Sequence, residues 1–242
     1  MNLIIDIGNT QVKIAVFNHR ELIFKDTFVK EYLISSLQKI ETDFSVKNAI
    51  LSSVGSLNKD DLHEIEQMFP LVVLDHQTKI PFFNKYKTPS TLGVDRIALI
   101  AGAVTEYPGK NILVIDAGSC VTYDFVDAGK NYYGGAISPG IEMRYRSLNT
   151  FTANLPKLSR IDKIPQTGNS TDNAIHSGVL NGIKLEIEGV IEQYSKKNRN
   201  FTIVLTGGDT IFLAKNIKST IFANPNFLLV GLNSILIYNI DE

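Results

Sequence analysis

The chain has 242 residues with a formal net charge of −1 at pH 7, and 44% of its residues are hydrophobic and 20% charged. This composition is typical of a globular protein with a sizeable core, and it lacks the basic excess that neutralises a nucleic-acid backbone. The single cysteine, Cys120, excludes an intramolecular disulfide. Neither a signal peptide nor an apolar run of about 18 to 20 residues is apparent, so we expect a cytosolic protein with no membrane or nucleic-acid partner.

The first predicted element is a β-hairpin. The run Leu3-Ile4-Ile5 predicts a buried strand that ends at Asp6, and alternation from Val12 to Val16 predicts a second strand. Gly8-Asn9-Thr10 lies between the two strands and supplies the turn. The chain therefore begins with strand, turn, strand, and an acidic residue stands at the end of the first strand.

Helical and strand-like patterns then alternate, which indicates an α/β fold. In chain order they are a helix from Tyr32 to Ile40, a strand from Ala49 to Leu51, a helix from Asp61 to Phe69 and a strand from Leu71 to Leu74. A further helix begins near Asp95 and ends at Pro108-Gly109. We place a domain boundary there, which gives two domains, residues 1–107 and 108–242.

The second domain begins with a repeat of the first hairpin. Asp116-Ala117-Gly118-Ser119 follows a buried strand from Leu113, precedes the alternating residues from Val121 to Phe125, and places Asp116 110 residues after Asp6. Self-similarity of this kind points to two related halves.

The rest of the second domain continues the α/β pattern. Apolar residues recur every three or four positions from Ile175 to Tyr194 and predict a long helix, with Thr171 or Ser170 as its cap. The remaining elements are a strand from Phe201 to Leu205, the turn Thr206-Gly207-Gly208-Asp209, a helix beginning near Ile211 and a buried helix from Asn226 to Asn239.

Two acidic glycine turns in equivalent positions favour a nucleotide site. A single Asp-x-Gly-Asn sequence is more often an ordinary hairpin turn. Two copies, together with a Gly207-Gly208 turn on which adenine and ribose can lie, favour nucleotide binding instead. Because carboxylates repel phosphate, Asp6 and Asp116 would need metal ions or ordered water between themselves and a triphosphate.

The motifs together resemble those of the type III pantothenate kinases, which belong to the ATPase superfamily of actin, Hsp70 chaperones and sugar kinases. The resemblance rests on six motifs in order: Asp6-Ile7-Gly8-Asn9-Thr10, Gly93-Val94-Asp95-Arg96, Asp116-Ala117-Gly118-Ser119, Gly134 to Gly140, Thr171 to Gly178 and Thr206-Gly207-Gly208-Asp209. It implies two ribonuclease H-like halves with mixed sheets flanked by helices. It also implies transfer of the ATP γ-phosphoryl group to the primary hydroxyl of pantothenate, and a homodimer.

The resemblance assigns a role to individual residues. Asp95 is the catalytic base, although an acid in the first turn of a helix can also serve only the helix dipole. The substrate-binding set is Tyr86, Gly93, Val94, Asp95, Arg96 and Thr171. The ATP-binding set is Asp6, Ile7, Gly8, Asn9, Thr10, Gln11, Val12, Lys13 and Ser119, with Gly207 and Gly208 on the adenosine. Asp6 holds Mg²⁺ through water, and Asp116 binds a monovalent cation, K⁺ or NH₄⁺.

Several alternatives remain open at this point. Lys13 is equally consistent with a solvated strand lysine, Ser119 replaces the threonine usual in the family, and His176 is more consistent with a structural role than with a chemical one. The competing functions are another small-molecule kinase of the superfamily and a non-catalytic accessory regulator of the same family. The presence of Asp6, Asp95 and Asp116 favours catalysis.

Overall fold

A computed structural model describes residues 1–8, 11–53 and 57–240. Its strands are β1 (Asn2–Ile7), β2 (Val12–Asn18), β3 (Glu21–Phe28), β4 (Asn48–Ser53), β5 (Leu71–Val73), β6 (Phe83–Asn84), β7 (Asn111–Ala117), β8 (Cys120–Val126), β9 (Asn131–Pro139), β10 (Phe201–Thr206) and β11 (Phe222–Ala223). Its α-helices are α1 (Leu33–Asp43), α2 (Lys59–Met68), α3 (Val94–Glu106), α4 (Ile141–Thr150), α5 (Thr171–His176), α6 (Gly182–Lys197), α7 (Thr210–Asn216) and α8 (Phe227–Ile240).

The contacts divide the chain into two compact units. The first comprises Met1–Pro108, Lys130–Tyr132 and Phe227–Glu242, and the second comprises Gly109–Gly129 and Tyr133–Asn226. The closing helix α8 therefore groups with the first half of the chain. The domain ranges 1–107 and 108–242 stay a prediction from the sequence.

The first unit is built on a mixed five-stranded sheet in the order β3-β2-β1-β4-β5. The β1–β2 and β2–β3 pairs are antiparallel, whereas the β1–β4 and β4–β5 pairs are parallel. All six residues of β1 are buried, which explains why its sequence is an almost unbroken apolar run. Leu33, Leu37 and Ile40 lie on one face of α1 and join the core beside this sheet.

Helices α3 and α8 cross closely within the first unit. A Cβ added at Gly231 would overlap the backbone carbonyl of Ala98, and one added at Gly102 would lie 3.0 Å from the Cα of Gly231. The two glycines let the backbones approach to a distance that any side chain would prevent. The strand β6 also belongs to this unit and pairs with the first two residues of β9.

The second unit repeats the strand order of the first. Its strands run β11-β10-β7-β8-β9, so β7 corresponds to β1, β8 to β2 and β10 to β4. The β7–β8 pair is antiparallel and the β7–β10 pair is parallel, as in the equivalent pairs of the first unit. This confirms the prediction of two related halves with mixed sheets and flanking helices.

The long helix predicted in the second half is present but contains an irregular turn. It runs through α5, a π-helical turn at Ser177–Asn181, and α6. The π turn is tied to the preceding loop because Ser177 Oγ donates to the Gln166 carbonyl at 2.8 Å and Asn181 Nδ2 donates to the Pro165 carbonyl at 3.0 Å. Of the two predicted caps, Ser170 is the residue that accepts from the Asn173 amide, and Thr171 is the first helical residue.

The predicted hairpins, central helices and buried terminal helix are all confirmed. Strands β3 and β9 and helix α4 were not predicted from the pattern. Within the described residues, no helix combines the length and the apolar character needed to cross a bilayer.

Candidate active site

The first acidic hairpin places Asp6 one residue before the end of β1. Asp6 lies opposite Lys13 on the antiparallel strand β2 and beside Ser52 on the parallel strand β4. The turn begins with a hydrogen bond from the Gly8 amide to the Gln11 carbonyl, 3.0 Å long. Asn9 and Thr10, which were predicted to contact ATP, lie outside the described residues.

The Asp6 carboxyl has a perturbed acidity. Burial raises its pKa from 3.8 to about 6, Lys13 opposes the rise, and the Asp95 carboxylate adds to it. Ser52 lies near enough to lower the pKa of Asp6 slightly. Its buried hydroxyl makes no hydrogen bond to any described residue. Asp6 and Asp95, 89 positions apart in sequence, therefore lie within electrostatic reach of each other.

Asp95 is presented by the first turn of α3. Gly93 is the N-cap of this helix, and the Asp95 carboxylate accepts a hydrogen bond from the Arg96 amide at 2.8 Å. A Cβ at position 93 would overlap Asp95 Oδ1, so only glycine leaves room for this carboxylate position. Asp95 remains partly accessible while the following turns of α3 are buried. The sequence Gly93-Val94-Asp95 thus projects one carboxylate from an otherwise packed helix.

Arg96 lies beside an aromatic stack. Its side chain is buried, and its guanidinium carbon lies 5.6 Å from the centre of the Tyr86 ring. Tyr86 stacks on Tyr132 at 6.2 Å, and its amide donates to Asn84 Oδ1 at 3.0 Å. The structure therefore brings together Tyr86 and Arg96, two predicted substrate-binding residues. A buried guanidinium supported in this way can grip two oxygens of an anionic ligand.

The second acidic hairpin repeats the geometry of the first with different neighbours. Asp116 lies opposite Thr122 on β8 and beside Thr206 on β10. The turn is closed by the Gly118 amide, which donates to the Cys120 carbonyl at 2.9 Å. The Thr122 hydroxyl is buried and has no hydrogen-bond partner in the described part of the chain. The residue opposite the acidic side chain is thus a lysine, Lys13, in the first hairpin and a threonine, Thr122, in the second.

Gly207 holds the third glycine turn against this hairpin. Its φ is +94°, and a Cβ there would overlap Asp116 Oδ1 and the Ala117 carbonyl oxygen. The Asp209 amide donates to the same Ala117 carbonyl at 2.9 Å. Gly208, in contrast, has no atom within 4 Å of its Cβ position and is exposed. The pair thus combines a packed glycine with an open one.

Ser119 and Thr171 line two separate cavities of the second unit. Ser119 shares a cavity of about 400 Å³ with residues of α4, among them Glu142 and Arg146. Thr171 lines a more apolar cavity of about 670 Å³ together with Arg144 and residues of α5 and the π turn. Both volumes are in the range of small-molecule sites.

A polar network beside the Thr171 cavity was not predicted. Arg144 Nη2 donates to Glu186 Oε2 at 2.5 Å, Arg144 Nε donates to the Pro139 carbonyl at 2.8 Å, and the Tyr123 hydroxyl donates to Glu186 Oε1 at 2.7 Å. Burial alone would raise the pKa of Glu186, but the hydrogen bonds from Arg144 and Tyr123 outweigh it and lower the pKa. The network fixes Arg144, and no local sequence pattern reveals it.

Two other contacts were not predicted, one at the Thr-Gly-Gly-Asp turn and one at the long helix. Arg160 forms an ion pair with Asp209 and lies over the Phe212 ring, 4.7 Å from its centre. The buried His176 ring meets the Tyr145 hydroxyl at 2.8 Å through Nδ1. This contact agrees with the structural reading of His176.

The predicted site residues fall into two described groups. Asp6, Lys13, Tyr86, Asp95 and Arg96 belong to the first unit. Asp116, Ser119, Thr171, Gly207 and Gly208 belong to the second. Within the first group the structure brings Asp6 near Asp95 and Arg96 near Tyr86. Within the second it brings Asp116 against Gly207.

The fold also occurs in solved structures of other proteins. The chain aligns with a protein from Campylobacter jejuni described as a Baf family transcriptional activator, with a TM-score of 0.67, 23% identity, and 99% and 100% of the two chains covered. It also aligns with a glucokinase from an Antarctic psychrotroph, with a TM-score of 0.51, 12% identity and 98% of each chain covered. At these identities the likeness shows the fold alone, which is the predicted one.

Sequence comparison identifies the family. Residues 2–193 match the model of the type III pantothenate kinases. A type III pantothenate kinase of Christiangramia forsetii is 48% identical over 240 residues, covering 99% of each chain. One of Flavobacterium johnsoniae is 46% identical over 243 residues, covering 100% of both. With full-length matches at this identity, the chain belongs to the type III pantothenate kinase family.

Proposed function

We propose that this protein transfers the γ-phosphoryl group of ATP to the primary hydroxyl of pantothenate, giving 4′-phosphopantothenate and ADP in the first step of coenzyme A biosynthesis. The observation that carries the proposal is the placement of Asp95 on the first turn of α3, near Asp6 and next to the buried Arg96, in a chain that belongs to the family. In the reaction a bond forms between the pantothenate oxygen and the γ-phosphorus, and the bond between that phosphorus and the β–γ bridging oxygen breaks.

Asp95 is the residue we assign as general base. Its carboxylate is partly accessible, projects from a rigid helix and is positioned by the Gly93 cap, so it can orient the substrate hydroxyl and take its proton as the bond to phosphorus forms.

The proposal assigns the substrate contacts to residues at or near the starts of α3 and α5. Arg96 supports the anionic end of pantothenate or the transferred phosphoryl group, backed by the Tyr86 ring. Gly93 and Val94 contribute backbone at the start of α3, and Thr171 contributes a hydroxyl at the start of α5.

The nucleotide contacts follow the three glycine turns. Phosphates lie on the first hairpin, from Asp6 through Ile7, Gly8, Asn9, Thr10, Gln11 and Val12 to Lys13, and on Ser119 of the second hairpin. Adenosine lies on the turn at Gly207 and Gly208, where the open side of Gly208 exposes backbone to a flat ligand.

A divalent metal accompanies ATP in kinases of this family. Among the described residues, no cluster of three or more His, Cys, Asp or Glu side chains suits a metal ion. A magnesium ion would therefore take most of its ligands from ATP phosphates and water, with Asp6 as a partner through water. The raised pKa of Asp6 fits this role because a cation would relieve the cost of burying its charge.

Asp116 is the residue we assign to a monovalent cation, K⁺ or NH₄⁺. The carboxylate faces Thr122 across the β7–β8 pair, and the buried Thr122 hydroxyl has no partner in the described residues. A hydroxyl oxygen beside a carboxylate is a suitable donor set for such an ion, which would screen the phosphates.

We further propose a cytoplasmic homodimer. Support for self-association comes from large apolar side chains that are exposed in the second unit, among them Tyr133, Ile137 and Phe151, the last with 84% of its surface exposed. Sedimentation of the protein at micromolar concentration should show a dimer, and a monomer alone would contradict this part of the proposal.

The test of the catalytic proposal is an ADP-release assay with ATP, magnesium, potassium and pantothenate. We expect pantothenate-dependent turnover, and a loss of about 10² to 10⁴-fold in kcat for Asp95→Asn with little change in melting temperature. Glu106→Gln, at the opposite end of the same helix, is the matched control and should retain turnover.

The outcomes of this assay also separate the competing functions. Turnover of another small alcohol in preference to pantothenate would indicate a different kinase of the superfamily. A folded wild-type protein with no turnover would favour the accessory regulator, the function suggested by the description of the Campylobacter jejuni structure.

A further inference from the structure

A third cavity lies in the first unit, at the opposite end of α3 from Asp95. It has a volume of about 490 Å³ and is lined by the C-terminal end of α3, by α8 and by two turns that carry Arg20 and Lys130. Val104 lies nine residues after Asp95, which corresponds to about 14 Å along the helix axis. The cavity is therefore separate from the Asp6 and Asp95 carboxylates and is not used by the proposed reaction.

The wall of this cavity combines apolar and polar surface. Val104 is buried, and Pro81, Ile237 and Tyr238 complete a surface suited to a flat or aliphatic group. The Ser234 hydroxyl is also part of the wall, but it donates to the Val230 carbonyl at 2.9 Å and so satisfies its own helix. None of the residues that line the cavity is acidic.

The rim carries two cations that have no counterion among the described residues. Neither the Arg20 guanidinium nor the Lys130 ammonium has an acceptor in residues 1–8, 11–53 and 57–240, and both side chains are exposed. The protein as a whole has a net charge of −1, so two unpaired cations at one cavity do not reflect a generally basic surface.

The turns that present these cations are fixed at the backbone. His19, next to Arg20, has φ +57°, and its carbonyl accepts a hydrogen bond from the buried Asn233 at 2.7 Å. Lys130 has φ +62°, and its carbonyl accepts from the Phe83 amide at 2.8 Å. The backbone positions from which the two charged side chains reach the cavity are therefore fixed before a ligand arrives, and only the side chains have to be ordered on binding.

We propose that this cavity is a binding site for a small organic anion with an apolar body. A phosphate or carboxylate group lies between Arg20 and Lys130, and the apolar body packs on Val104, Ile237 and Tyr238. The site is independent of the kinase reaction, so its occupancy requires no turnover.

The experiment is isothermal titration calorimetry of the full-length protein with 1-naphthyl phosphate as the probe. Saturating magnesium, pantothenate and a non-hydrolysable ATP analogue keep the probe out of the proposed active site. We expect one probe bound per chain. The double variant Arg20→Gln/Lys130→Gln should bind at least about tenfold more weakly, because it loses both charge-assisted hydrogen bonds. Neutral 1-naphthol should also bind at least about tenfold more weakly, and 1-naphthoate in a parallel titration identifies which anionic group is preferred.

The charge-matched control is Lys39→Gln/Lys47→Gln, which removes two exposed cations of the same unit that do not line the cavity. This control should leave the affinity within about twofold at 0.15 M salt, where charges more than about 8 Å away are largely screened. Absence of saturable binding would overturn the proposal. So would an equal loss in both double variants, or an unchanged affinity for Arg20→Gln/Lys130→Gln in a protein that thermal unfolding shows to be folded.

Discussion

The two adjacent glycines of the Thr-Gly-Gly-Asp turn allow a test in which the chemical change is the same and the surroundings differ. At Gly207 the backbone has φ +94°, and an added methyl group would overlap Asp116 Oδ1 and the Ala117 carbonyl. At Gly208 an added methyl group meets no atom within 4 Å. Gly207→Ala should therefore perturb the turn and the second acidic hairpin together, whereas Gly208→Ala should perturb neither.

The magnitude of the Gly207→Ala effect has two parts. Placing an L-residue in the left-handed region costs about 1 to 2 kcal/mol, and forcing a methyl group into packed atoms costs about 1 to 3 kcal/mol more. Together these lower the free energy of unfolding by about 2 to 5 kcal/mol. For a chain of this size that corresponds to a fall in melting temperature of roughly 5 to 15 °C.

Thermal unfolding monitored by circular dichroism measures the stability of both variants. Gly208→Ala should remain within about 0.5 kcal/mol of the wild type. Because the overlap displaces Asp116, Gly207→Ala should also require more potassium for half-maximal kinase activity at a temperature where it is folded. If both alanine variants lose the same stability, or if Gly207→Ala loses none, the packing argument is wrong.

Three further predictions concern the two carboxylate sites and the helix crossing. Burial raises the pKa of Asp6 from 3.8 to about 6, so the free energy of unfolding of the ligand-free protein should fall as the pH rises through this window. Asp6→Asn should therefore have a free energy of unfolding up to about 3 kcal/mol higher than the wild type at pH 8 and no higher at pH 3, as measured by urea unfolding. Gly231→Ala should lower the free energy of unfolding by about 1 to 3 kcal/mol, because its methyl group overlaps the Ala98 carbonyl. Gly189→Ala, which has open space around it in α6, should raise the free energy of unfolding by about 0.5 to 1 kcal/mol in the same assay. Thr122→Lys should make kinase activity less dependent on potassium in a cation titration, because its ammonium would lie opposite Asp116 in the second acidic hairpin. An unchanged potassium requirement would count against the cation assignment.

The predictable parts of the fold are those with a local pattern. The apolar run before Asp6 and the alternation after it indicate a hairpin directly, and the repeat at Asp116 predicts a second half of the same topology. Strand β3 was missed because it is an edge strand whose residues are mostly exposed and whose apolar residues do not alternate with polar ones. Strand β9 was missed because Gly134-Gly135 interrupts its pattern and because one of its faces is exposed.

The predictable parts of the site are its turns, and the unpredictable parts are its long-range pairs. Asp6 and Asp95 come from different elements, and only the resemblance to a family placed them in one site. The pairing of Arg144 with Glu186 joins α4 to α6 across 42 positions and follows no periodicity. Such contacts depend on how helices pack on the sheet, which single-sequence patterns do not specify.

The register of the two hairpins gives the equivalent carboxylates different neighbours. In the first half the residue opposite Asp6 is Lys13, so the protein supplies a positive charge of its own, and a second carboxylate, Asp95, lies within reach. In the second half the residue opposite Asp116 is Thr122, a neutral donor whose buried hydroxyl has no partner in the described residues. Because directly opposed cross-strand side chains lie about 5 Å apart, this single difference changes the charge beside the carboxylate. The carboxylate of the first hairpin thus has an internal cation opposite it, whereas the carboxylate of the second would need an ion from solution.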